Sequence, residues 1–203
     1  MPLVFDVGRS AFAVAGDPEA AVPLASLAES ERLLVRTVFS APGPTYPFGT
    51  HVAVVEVDTE TGKVVLRRVV TVDDAGFVLN PLLAEGQRHG GIAQGAAQAF
   101  LEEVVYDPDG NPLTASFADY PILSATEVPS FELAEMATRT TYNSLGAKGI
   151  GEAGSIGATP AVQNAVVDAV AHLGVRHIDL PTTPQRVWQA LQEAADPSSL
   201  ERA

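Results

Sequence analysis

Apolar and polar residues alternate most regularly in the second quarter of the chain. Residues 51–58 (His-Val-Ala-Val-Val-Glu-Val-Asp) and 63–73 (Lys-Val-Val-Leu-Arg-Arg-Val-Val-Thr-Val-Asp) read as two strands, and Thr59-Glu-Thr-Gly62 between them supplies turn chemistry, which predicts a β-hairpin. Asp73-Asp74-Ala75-Gly76 is expected to end the second strand as a turn, with the two carboxylates on opposite sides if the strand continues. The period then changes. Asn80-Pro81 is a helix start, asparagine as N-cap and proline at the first helical position, and helical spacing runs to about Val105. Residues 161–173 repeat that spacing and stop at Gly174, so a helix is expected to begin near Thr159-Pro160, with Thr159 as its N-cap. Thr183-Pro184 cap a last helix over 185–193.

The rest of the pattern is weaker. Residues 4–6 and 11–14 predict two short strands about a turn at 7–9, residues 17–19 a further turn, and 23–28 a helical turn. Three prolines and two glycines make residues 40–49 an extended loop. Residues 106–112 are a turn, 113–130 are broken by Pro121 and Pro129, and 131–141 favour a strand through their threonines. These elements predict an α+β fold, a hairpin-based sheet with helices packed on it. The domain reading is a peripheral segment over residues 1–45 and a main domain over 46–203.

Composition narrows the function. A chain of 203 residues, 46% hydrophobic, supports a substantial core. A formal net charge of -13 argues against nucleic acid and anionic membranes as partners. The chain contains no cysteine, which excludes thiol catalysis and iron–sulfur ligation within it. No apolar run reaches a membrane span and the first residues lack a signal-peptide pattern, so the expectation is a cytoplasmic protein. His51, His89, His172 and His177 show no metal-ligand spacing, and no metal ligand is assigned to this chain.

The densest chemistry lies at Ser144-Leu-Gly-Ala-Lys-Gly-Ile-Gly-Glu-Ala-Gly-Ser-Ile-Gly-Ala-Thr-Pro160, with glycines at 146, 149, 151, 154 and 157 around Lys148 and Glu152. Gly149 to Gly154 fits the dinucleotide pattern G-x-G-x-x-G, but no apolar strand precedes it and Glu152 would face a pyrophosphate, so that reading fails. Two readings stay open on spacing alone. In one, Glu152 is a catalytic base with Lys148 as its electrostatic or hydrogen-bonding partner. In the other, Glu152 only favours the N-terminus of the following helix. The first long helix poses a similar choice. Glycines 86, 90, 91 and 95 give it a shallow face, either for close packing against another backbone or for a bulky cofactor beside Gln87 and Gln94.

Three collinear segments carry a resemblance. Residues 146–157 with 160–169, the run Asn80-Pro81 to Gly95, and residues 177–188 (His-Ile-Asp-Leu-Pro-Thr-Thr-Pro-Gln-Arg-Val-Trp) together resemble the last quarter of the molybdopterin-binding large subunit of the molybdenum hydroxylases. That family comprises xanthine dehydrogenase, aldehyde oxidase and aerobic carbon monoxide dehydrogenase. The resemblance implies that Glu152 is the active-site base and that Gln87, Lys148, Gly149 and Gly151 border a molybdenum–molybdopterin cofactor, in its cytosine dinucleotide form. It further implies a small-molecule substrate, an iron–sulfur subunit and an FAD subunit as partners, and the remainder of the large subunit as the other wall of the site. Large subunits of this family are several times longer, so turnover by this chain alone is not expected. The alternative is a non-catalytic remnant that keeps the fold for assembly or binding.

Overall fold

The computed structural model describes residues 2–30, 32 and 34–196, which fall into two compact units, Met1–Ser40 and Ala41–Ala203. In the first unit, β1 (Leu3–Asp6), β2 (Ala11–Val14) and β3 (Asp17–Pro23) form an antiparallel sheet in that order, followed by α1 (Leu24–Ser30). Phe5 and Phe12 are directly opposite one another, their ring centres 4.9 Å apart. Residues 17–19 are strand, not the turn their composition suggests. Asp17 still behaves as a turn residue, its Oδ1 accepting from the Glu19 and Ala20 amides, while β2 recruits the segment through a register irregularity at Ala13/Val14.

The second unit is built on the predicted hairpin. β4 (Phe48–Val57) pairs antiparallel with β5 (Val64–Asp74), and β6 (Phe131–Glu135) joins the other side of β5 in parallel. Opposite Val54/Val55 the ladder skips Arg67, so this bulge reverses the alternation along β5. Leu66 and then Val69, Thr71 and Asp73 are consequently all buried. β6 is shorter than its threonine-rich surroundings suggest, ending at Glu135.

α2 (Pro81–Phe100) starts as expected, Asn80 Oδ1 accepting from the Leu83 amide. It stops five residues before the expected end, with the Leu101 amide bonded to the Ala97 carbonyl. α3 (Ala153–Val170) departs more sharply. It begins at Ala153, not at Thr159-Pro160, and Pro160 lies inside it. The reason is tertiary. Gly91 and Gly95 of α2 face Gly154 and Ala158 of α3 so closely that a Cβ on Gly154 would stand 2.7 Å from the Arg88 carbonyl oxygen. Thr159 does not cap; its hydroxyl donates across the crossing to the Gly95 carbonyl at 3.1 Å.

α2 and α3 cover one face of the sheet around Leu66, Val69, Ile92, Ala96, Ala158 and Val162. A 3-10 turn over Ala171–Leu173 ends at Gly174 in the left-handed region, and α4 (Pro184–Ala195), capped by Thr183, closes a second cluster around Val166, Val170, Val187 and Leu191.

Candidate active site

The glycine-rich loop is fixed before it reaches the helix. Gly146 turns with φ 73°, and the Asn143 side chain brackets Ala147, donating to its carbonyl at 2.8 Å and accepting from its amide at 3.1 Å. The Lys148 amide then donates to the Ala75 carbonyl at 2.8 Å, which ties the loop to the end of β5. Beyond that point successive residues turn to different sides. Gly149, Gly151 and Glu152 line a cavity of about 560 Å³. Lys148 and Ile150 line a second, of about 220 Å³, together with Gln87 and Asn80. The loop is therefore a ridge between two cavities. Gln94 is apart from both, beside Glu102 and Leu123.

Glu152 occupies the N-cap position of α3, yet its side chain makes no capping hydrogen bond. It is exposed. Its carboxylate is thus neither consumed by the helix it precedes nor desolvated by this chain.

Lys148 corrects the sequence reading. Among the described residues no ion pair joins it to Glu152. Its ammonium is buried, 3.0 Å from Asp74 Oδ2 and 2.8 Å from Thr138 Oγ1, and lies over the Phe48 ring. Burial pushes the Asp74 carboxyl up, but hydrogen bonds from the Thr138 hydroxyl, the Gly76 amide and Lys148 outweigh it and hold it at about 2. Lys148 therefore anchors the loop, two of the three N–H groups of its ammonium being taken up by Asp74 and Thr138.

Asp73 points the other way. Its Oδ2 accepts from Arg88 Nε at 2.8 Å and Thr71 Oγ1 at 3.0 Å, and its Oδ1 lies 2.9 Å from His51 Nε2. Arg88 also donates to the Ala134 carbonyl at 2.6 Å, so one guanidinium joins α2 to β5 and β6. Sequence reasoning missed Arg88 and His51. For Arg88 the signal was present: Ala84, Arg88, Ile92, Ala96 and Ala99 form one buried stripe, which puts a cation where only a carboxylate partner makes it tolerable. Among the described residues no group of three or more His, Cys, Asp or Glu side chains is arranged to hold a metal ion.

The glycines of the loop and of the two helices fall into two groups. Gly91, Gly95 and Gly154 are used up by the helix crossing. Gly149 and Gly151 are not: a Cβ at either would meet nothing within 4 Å, and neither adopts positive φ. Gly86 and Gly90 on α2 are equally open. Neither packing nor backbone conformation within this chain calls for glycine at these four positions, whereas a ligand lying against the backbone does.

The family model described as the molybdopterin cofactor-binding domain matches residues 6–129, a span that includes Gln87 and stops short of Glu152. The chain is 41% identical over 155 residues to the carbon monoxide dehydrogenase large chain of Hydrogenophaga pseudoflava, covering 76% of this chain and 19% of that protein. It is 39% identical over 153 residues to the nicotine 6-hydroxylase large subunit of Paenarthrobacter nicotinovorans, covering 75% and 19%. The crystal structure of quinoline 2-oxidoreductase from Pseudomonas putida 86 superimposes with a TM-score of 0.84 at 33% identity, over 94% of this chain and 26% of that one. The chain thus spans about a fifth of the length of these curated relatives. Among the described residues no helix is long and apolar enough to cross a membrane.

Proposed function

The chain belongs to the molybdopterin cofactor-binding domain family, and we propose that it forms one wall of the active site of a molybdenum hydroxylase large subunit. The observation that carries this is Glu152: an exposed carboxylate at a helix start, bonded to none of the helix amides, on the rim of the larger cavity beside two glycines that the chain's own packing does not need. A carboxylate so placed is available to take a proton from a reacting group brought to it.

In this reading Glu152 is the catalytic base. Gln87 and the backbone at Gly149 and Gly151 border the cofactor, in its cytosine dinucleotide form. The bound molybdopterin group supplies the two-electron redox chemistry of a hydroxylation. This chain's residues do the rest: the Asp74–Lys148 pair holds the loop against β5, the α2–α3 crossing fixes the height of Glu152, and open glycines admit the ligand to the backbone. The remainder of the large subunit covers Glu152 and excludes water, which this chain does not do by itself. An iron–sulfur subunit and an FAD subunit carry electrons away in the cytoplasm, and the substrate is an aldehyde, an N-heterocycle, carbon monoxide or a similar small molecule. Residues 46–203 hold the site.

Elemental analysis for molybdenum, combined with size-exclusion mass on protein purified from its native host, tests the proposal. Molybdenum co-eluting with the chain in a large complex is the expected result. A metal-free species near 21.2 kDa would overturn it.

A further inference from the structure

Proline is the least tolerated residue of a helix interior, because it has no amide to donate and its ring crowds the carbonyl four residues back. Pro160 stands about two turns into α3, so the bond that its amide would give to the Ile156 carbonyl is not made. Packing within this chain does not ask for that proline. The buried stripe of α3 is Gly154, Ala158, Val162 and Val166, whereas Pro160 is exposed on the opposite side. That opposite side faces the larger cavity: Glu152, Ile156 and Pro160 follow one another at four-residue intervals, and all three line it. A helix carbonyl points along the axis towards the residue four positions on, so the freed one lies on the face that carries both Ile156 and Pro160. Ile156 is 68% exposed. Its amide is already used, donating to the Glu152 carbonyl at 3.0 Å. One turn beyond the proposed base, the cavity wall therefore carries a backbone acceptor without its helical donor.

We propose that the Ile156 carbonyl is a specificity-determining acceptor of this cavity, taking an N–H or O–H donor from a small, planar, uncharged ligand. The inference rests on the reading that the cavity is the substrate side of the site. The remaining lining fits such a ligand. Phe48 is half exposed and lines the same cavity, offering a flat molecule an aromatic face, and the Lys148 ammonium lies 5.1 Å from its ring centre. Asp73 and Glu152 line the cavity but no lysine or arginine does, so an anion has no partner there. About 560 Å³ is in the usual range for a small-molecule pocket. Water satisfies the carbonyl while the cavity is open. A ligand that fills the cavity displaces that water, and an analogue without a donor then leaves the acceptor unpaired.

The test uses the whole chain, 13C-labelled at its isoleucine carbonyls, with benzimidazole and 1-methylbenzimidazole as probes at neutral pH. The two share a ring system, and only the first has an N–H to donate. Benzimidazole is expected to bind about tenfold more tightly and to move the Ile156 carbonyl resonance. Pro160→Ala restores an amide to α3 and engages the carbonyl within the helix, so the ratio of the two affinities should fall to about one. That substitution removes a helix breaker, and folding of the variant is not at risk. Equal affinities in the unsubstituted chain, no binding of either probe, a carbonyl resonance unmoved by bound benzimidazole, or a tenfold preference retained by Pro160→Ala would overturn the proposal. No molybdenum enters the experiment. Donor-selective binding by a chain that carries no molybdenum in its host would remove the proposed function and leave the Ile156 assignment standing.

Discussion

Asp73 and Asp74 are consecutive in β5, and their carboxylates leave the strand on opposite sides to hold two different parts of the site. Asp73 reaches Arg88 on α2 and His51 on β4. Asp74 reaches Lys148 in the glycine-rich loop and Thr138 after β6. One strand end therefore ties down both the helix that carries Gln87 and the loop that carries Glu152. Strand alternation makes this possible, because neighbours in a strand face opposite ways.

Arg88 and Asp73 are each almost wholly buried, so removing the cation strands a carboxylate in the core. Arg88→Met is expected to destabilise the chain by about 3–5 kcal/mol. Arg88→Lys should recover only part of that, since an ammonium does not reproduce the guanidinium fork onto Asp73, Thr71 and the Ala134 carbonyl. Urea unfolding of the three proteins measures both effects.

Asp74 gives the acid limb of stability its sign. Its folded value of about 2 lies below the ordinary 3.8, so its contribution is fully present above pH 4 and is lost as pH falls from 4 towards 2. Urea midpoints measured across that interval should fall more steeply for the natural chain than for Asp74→Asn. Parallel profiles would show that the carboxylate is not held in this way.

The glycines divide into two classes with opposite responses. Gly154→Ala drives a methyl into the backbone of α2 and should cost about 1–3 kcal/mol. Gly90→Ala meets nothing, and should raise helix stability by about 1 kcal/mol. Thermal unfolding separates them.

The hairpin was legible because its strands alternate cleanly, and the starts of α2 and α4 because Asn80-Pro81 and Thr183-Pro184 carry capping chemistry in four residues. The start of α3 was not. Proline at the first helical position is a sound local rule, but Gly154 and Ala158 extend the helix about two turns earlier by packing on α2, a partner about 60 residues away in sequence. Lys148 misled for the same reason. Its neighbour in sequence is Glu152, while its partner in space, Asp74, is 74 residues distant. For glycines 86, 90, 91 and 95 the spacing leaves packing and ligand approach both open, and the structure separates Gly91 and Gly95, which pack on α3, from Gly86 and Gly90, which stay open. His51 left no signal, since a lone histidine in an alternating strand looks like any other half-buried residue.

Glu152→Gln in the assembled, molybdenum-loaded complex tests the central claim most directly, with turnover and molybdenum content measured on the same preparation. The side chain makes no capping bond and is exposed, so the substitution should leave folding and metal content intact. Loss of the base predicts a fall in kcat of roughly 100- to 10,000-fold at unchanged molybdenum content. Turnover equal to that of the unsubstituted complex would contradict the account.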